Sequence, residues 1–151
     1  MIIIADRIAA GRTHYMNLTA EISVGEFLDK ITILEIKSER ITDPEKLRNI
    51  RHELDVLLRT WAASPYSAED LAAEIAELKR INETLWEIED DIRIKEAAGE
   101  FDEDFIQLAR SVYITNDERA AVKRRINVKV GSNLIEEKSY ADYRRKDDAS
   151  R

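Results

Sequence analysis

Leu71-Ala72-Ala73-Glu74-Ile75-Ala76-Glu77-Leu78-Lys79-Arg80-Ile81-Asn82-Glu83-Thr84-Leu85-Trp86-Glu87-Ile88-Glu89-Asp90-Asp91-Ile92 is the stretch whose reading decides the fold. Leu71, Ile75, Leu78, Ile81, Leu85, Ile88 and Ile92 recur every three or four residues, and charged residues fill most of the positions between them. That spacing lines one face of an α-helix. The pattern predicts a helix from about Ala68 to Ala98, opened by Ser67 with Asp70 three residues on and ended by Gly99. About 30 residues at 1.5 Å each make ~45 Å, longer than a compact bundle of this mass needs. The helix is therefore expected to protrude or to support a dimer.

On the N-terminal side the same period returns twice. Ser23 followed by Glu26 is a capping box, in which the hydroxyl accepts from an early amide and the carboxylate reaches back. Val24, Phe27, Leu28, Ile31, Leu34 and Ile41 form the stripe of a first helix, widened by Ile33 and Ile36. Asp43-Pro44 closes it and starts a second helix to about Ala62, with Leu47, Ile50, Leu54, Leu57, Leu58 and Trp61 inward. Ser64-Pro65 breaks that one.

On the C-terminal side a fourth helix is expected from Asp104 to about Tyr113, with Phe105, Leu108, Ala109 and Val112 inward. Thr115-Asn116-Asp117-Glu118 reads as another capping box, opening a fifth helix through Val122 and Ile126. Residues 126–130 alternate with period two, a strand signature, but have no partner strand and are read as helix. Gly131-Ser132 ends it. The expected fold is an all-α bundle of four to five helices with short loops and antiparallel neighbours. Residues 1–15 are a loosely ordered extension ahead of Met16, 16–143 a single helical domain, and 144–151 a charged tail.

Composition narrows the function classes. The chain has 151 residues, a one-domain length, and 36% of them are charged. Residues 1–116 hold 14 Lys/Arg against 24 Asp/Glu, and residues 117–151 hold 10 against 7. An acidic body with a mildly basic end argues against nucleic-acid binding, which wants a broad basic face. A local anion site remains compatible with it. Without cysteine there is no disulfide, thiolate nucleophile or zinc-thiolate centre. His14 and His52 lack a second ligand at helical spacing, so no metal is expected. No run approaches the ~20 apolar residues of a membrane span, and the Ile2–Ile4 run is too short for a signal segment. The chain reads as cytoplasmic, with no cofactor: P-loop, dinucleotide turn, nucleophile elbow and Glu-x-x-His patterns are all absent.

Four groups of residues are candidates for a site. Arg110, Tyr113, Asn116, Arg119, Lys123 and Asn127 come first. Arg119, Lys123 and Asn127 line up along the expected fifth helix, whose start at Asn116 would present free amides and a positive dipole end to a phosphate or carboxylate. The competing reading pairs these cations with the acidic body, Glu136 and Glu137 being nearest in sequence. Second is the stripe Asn82, Trp86, Glu89 and Arg93, where Trp86 can stack on a ring and the polar groups can orient it; otherwise Glu89–Arg93 is an ordinary helix pair. Third are Lys30 and Lys37, lysines beside an apolar stripe that commonly lay their stems over it. Fourth is Glu136-Glu137-Lys138-Ser139-Tyr140, which either packs back through Leu134, Ile135 and Tyr140 to close a site or is a solvated tail.

Several strings carry a resemblance: residues 21–37 (Glu21-Ile22-Ser23-Val24-Gly25-Glu26-Phe27 through Lys37), Ile81 to Asp90, Ala109-Arg110-Ser111-Val112-Tyr113 with Thr115-Asn116-Asp117, and Gly131-Ser132 with Glu136 to Tyr140. Over residues 17–143 the chain resembles an uncharacterised bacterial and phage family of small helical proteins, a domain of unknown function. The resemblance implies a helical fold. It lends no residue a catalytic role, because the family has no established activity.

The function expected from the sequence is a binding or scaffolding protein with an anion or carboxylate site, partnered by itself or another protein. The alternative is a helical-bundle enzyme acting on a small anionic metabolite, by electrostatics from Arg and Lys. The sequence leans away from catalysis.

Overall fold

The computed structural model describes residues 18–141. The expectations for residues 1–15 and 144–151, and for His14 and Met16, lie outside those residues. Four α-helices form the fold: α1 (Val24–Arg40), α2 (Pro44–Ala63), α3 (Ala72–Ala98) and α4 (Glu103–Lys129). A short 3-10 turn, Pro65–Ala68, links α2 to α3, and no strand is present among the described residues.

Local chemistry sets most of the boundaries. The Ser23 hydroxyl accepts from the Glu26 amide at 3.2 Å, Asp43 from Lys46 at 2.8 Å and Asp102 from Phe105 at 3.0 Å, each satisfying an amide without a helical partner. Gly99 and Gly131 adopt φ of 70° and 64° just past α3 and α4. At both, the amide one residue further on bonds back five residues, Glu100 to Lys95 and Ser132 to Asn127. This is the left-handed stop that glycine permits without steric penalty.

α3 and α4 pair as a long antiparallel hairpin of two 27-residue helices, each ~40 Å. Lys129–Glu74 and Arg125–Glu77 join one end, and Lys95 with Asp102 joins the other. α1 lies across the hairpin's open end and packs on α2, α3 and α4 alike. Val24, Leu28 and Ile31 of α1 meet Leu71, Leu78, Ile81 and Leu85 and, from α4, Val122 and Ile126. α2 packs mainly on α1, so Ile50 is its one buried residue and Leu58 stays exposed, against the expectation of a fully inward face. At the hairpin's closed end Ile94, Phe101 and Ile106 are 65%, 62% and 48% exposed, and Phe101 meets Phe105 edge-on at 5.2 Å.

Two boundaries differ from the sequence reading, and a third follows it. The expected fourth and fifth helices are one: α4 runs through Thr115 without a break, because no Gly or Pro interrupts it and Thr115 is buried. The Asn116 amide, instead of capping, donates to the Val112 carbonyl at 2.9 Å within the helix. The alternating segment is helical to Lys129, with Ile126 buried and Val128 turned outward. α3 begins at Ala72, since the Ser67 hydroxyl donates backward to Ser64 at 2.9 Å and caps nothing ahead of it.

Candidate functional site

The site begins where α1 crosses α4. The Gly25 amide donates to Asn127 Oδ1 at 2.7 Å, and a Cβ on Gly25 would stand 2.5 Å from the Lys123 carbonyl oxygen. Only a residue without a side chain lets the two helices approach so closely. That contact brings the first turns of α1 onto the last turns of α4 and sets up a belt of buried polar groups between them.

Lys123 occupies one end of the belt, its side chain only 9% exposed. Its ammonium bonds Glu26, sits 2.8 Å from Glu136 and 4.0 Å from buried Asp29. Burial pulls its pKa down, but the bonds to Glu136 and Glu26 outweigh this and hold it above the ordinary lysine value. The same bond from Lys123 holds Glu136 below the usual carboxylate range. Asp29 also accepts from Asn82 at 2.8 Å, and Asn82 donates to Thr32 as well, at 3.0 Å.

Arg119 stands one turn before Lys123. It donates to Asn82 Oδ1 at 3.4 Å, a long bond, and no carboxylate of the described residues lies within 4.0 Å of it. Glu136 feels it only at longer range. The contrast with the other cations is sharp. Lys37 and Arg119 are the half-buried cations that form no ion pair among the described residues, whereas Lys46, Arg48, Arg51, Arg80, Arg110 and Lys138, also unpaired, are exposed.

Arg119 borders a groove of about 400 Å³ between α3, α4 and the middle of α1. Ile33, Leu85 and Trp86 give it apolar walls; Asn82 and Asn116 give amides; Arg93 stands opposite Arg119, beside Glu89 and Asp90. Arg93 pairs with Glu89 at 3.0 Å. Arg40 lies over the Trp86 ring, 5.9 Å from its centre, and pairs with Glu87 at 3.2 Å. Lys37 follows Ile33 by one turn on the same α1 face.

The structure thus brings parts of two predicted groups together: Asn116 and Arg119 with Asn82, Trp86, Glu89 and Arg93. It places Lys123 and Asn127 in the interhelical belt. Arg110 is exposed on α4 and bonds Gln107 at 3.5 Å, away from the groove. Lys30 pairs with Glu53 of α2 at 2.7 Å. The anticipated seat at a helix N-terminus is absent, since Asn116 is inside α4 and the amides there belong to its ladder. Asp29, Thr32, Asp90 and Arg40 were not singled out by the sequence. A carboxylate at position 29, inside the α1 apolar stripe, was the available signal for the first of them.

The tail does not pack back through Leu134, Ile135 and Tyr140, which stay exposed; ion pairs tie it to α4 instead. Glu136 on Lys123 and Glu137 on Arg124, at 2.5 Å, hold residues 132–141 along α4. Tyr113, Asn116 and Lys138 then border a second cleft of about 560 Å³ with Tyr140.

A family model described as "Family of unknown function (DUF6165)" matches residues 18–147. The chain belongs to that family. The match takes in all four helices of this DUF6165 chain, the polar belt, the groove and the tail segment that returns to α4. No curated protein and no solved structure matches it. Among its described residues no helix is long and apolar enough to cross a membrane, and no group of three or more His, Asp and Glu side chains is arranged to hold a metal ion.

Proposed function

We propose that the protein is a cytoplasmic binding module whose groove between α1, α3 and α4 takes a small ligand bearing a carboxylate or phosphate beside an apolar or ring-shaped part. One observation carries this reading: Arg119 is half-buried, faces the groove, and has no carboxylate partner among the described residues. A guanidinium withdrawn from water without a counter-ion is a strong receptor for a planar anion, to which it can give two parallel hydrogen bonds. Arg93, the other cation lining the groove, is paired with Glu89, which leaves Arg119 as the cation there with no carboxylate partner among the described residues. Glu89, Asp90 and Asn116 accept from hydroxyl or amine groups, and Trp86, Leu85 and Ile33 offer contact for the rest of the molecule.

Thermal unfolding of the full chain with phosphate, dicarboxylates, sugar phosphates and nucleotides tests the reading. A ligand at 100 times its Kd adds about 2.7 kcal/mol of stability, a shift of several degrees. The shift should saturate, weaken with salt and vanish in Arg119→Ala. No shift with any of these anions would defeat the proposal. Conversion of a stabilising phosphate ester, followed by phosphorus NMR, would turn the module into a catalyst at the same groove.

A second reading, self-association, is favoured by Ile94, Phe101 and Ile106 standing exposed at the hairpin's closed end. Acidic residues crowd that end, so a dimer formed there should strengthen with salt, unlike anion binding. Light scattering that finds only monomer at high protein and salt concentration removes it.

A further inference from the structure

The second cleft has a different chemistry from the groove. Beyond Gly131 the chain turns back, and Glu136 and Glu137 pin it to Lys123 and Arg124. Those anchors place Lys138 and Tyr140 against the outer side of α4, beside Tyr113 and Asn116. Val112, Ala141 and two exposed phenol rings line it, together with the Asp117 carboxylate and the Lys138 ammonium, which has no ion pair among the described residues. Such a cleft suits a flat ring with polar edges, since a phenol presents a π-face at low conformational cost.

Asn116 lines both the groove and the cleft. Its side-chain nitrogen is held by the Val112 carbonyl at 2.9 Å, so the amide is fixed and its oxygen remains to accept from a ligand. Asn116 thus stands between the two hollows as an oriented hydrogen-bond acceptor.

We propose that groove and cleft form one extended site, divided by Asn116, for a ligand of mononucleotide type: the phosphate on Arg119, the heterocycle beside Tyr113 and Tyr140 with Lys138 at its edge. The inference rests on the groove reading above and adds the class of ligand. It also gives the returning tail a role in binding, because Lys138 and Tyr140 reach the site only while Glu136 and Glu137 hold.

Calorimetric titration of the full chain with AMP, GMP, CMP, UMP and ribose 5-phosphate tests it. At least one mononucleotide should bind about tenfold or more tighter than ribose 5-phosphate, the increment expected of one stacked base. Tyr140→Ala should abolish that advantage and leave ribose 5-phosphate unchanged. Tyr140 is 79% exposed, so its loss does not disturb the fold. Equal affinity of all five ligands for the unaltered protein, or a nucleotide preference that survives Tyr140→Ala, overturns the extended site while the groove stands. No binding by any of the five, together with no anion effect on unfolding, overturns both.

Discussion

Lys123 and Arg119 are one turn apart on α4, and each reaches toward α1 and α3, yet their surroundings are opposite. Lys123 is met by Glu26, Asp29 and Glu136, carboxylates from α1 and from the returning tail. Arg119 is met by one amide oxygen at 3.4 Å and an open groove. The first is a clamp: a buried charge whose partners come from far apart in the chain, so that the pairing fixes how three segments assemble. The second carries a charge that no carboxylate of the described residues answers. A fold tolerates such a group where a little water and room remain, and these are also the conditions in which a ligand can enter. Removing the clamp should cost stability, and removing the unanswered charge should cost binding.

The largest effect expected from this contrast is at the clamp. Lys123→Met keeps the buried stem but leaves Asp29 and Glu26 without their cation, and should cost about 3 kcal/mol or more by urea unfolding, as for other broken buried pairs. If the cost is under 1 kcal/mol, the clamp and the contrast both fail. Asn127→Ala comes next: it strands the buried Gly25 amide and should cost about 1–3 kcal/mol.

Smaller still is the pH response of the tail. Glu136 holds its proton less readily in the folded protein than in the unfolded chain. Its contribution is thus complete above the ordinary carboxylate pKa and is lost as pH falls through the lower folded value. Lys123 is shifted upward, so its share is complete below the ordinary lysine pKa and disappears only as pH rises through the higher folded one. Protection of the Ser132 amide against exchange, taken relative to its intrinsic rate at each pH, should therefore fall in acid before the helices unfold, and Glu136→Gln should already lower it at neutral pH. For this half-exposed carboxylate the stabilisation is at most about 1 kcal/mol. The smallest stability change belongs to Arg119→Ala, within about 0.5 kcal/mol of the parent, because no ion pair is lost. A large loss there would mean that Arg119 belongs to the clamp.

The periodic part of the fold was legible in the sequence. α1, α2 and α3 follow from the recurrence of Leu and Ile, and the stops at Gly99 and Gly131 from the one residue that takes positive φ freely. The join of the last two expected helices was not, because Thr115-Asn116-Asp117-Glu118 has the composition of a cap. Only the burial of Thr115 and the backward bond of Asn116, both consequences of packing, reveal it as helix interior. For the site, spacing placed Arg119 and Lys123 on one line and treated them alike. What separates them is Glu26 and Asp29, more than 90 residues away, and no local pattern reports that approach. Gly25, the residue that permits it, looks in the sequence like a weak point in a helix.

Gly131 has a consequence for the end of the chain. Its left-handed backbone lets the Ser132 amide bond the Asn127 carbonyl at 2.9 Å, and this aims the following residues back along α4. A β-branched residue there would resist that torsion and swing the polypeptide outward, away from its anchors. A single backbone angle thus acts as a compass for the last ten described residues, and bulk at that one position would unhitch them while the four helices stayed assembled.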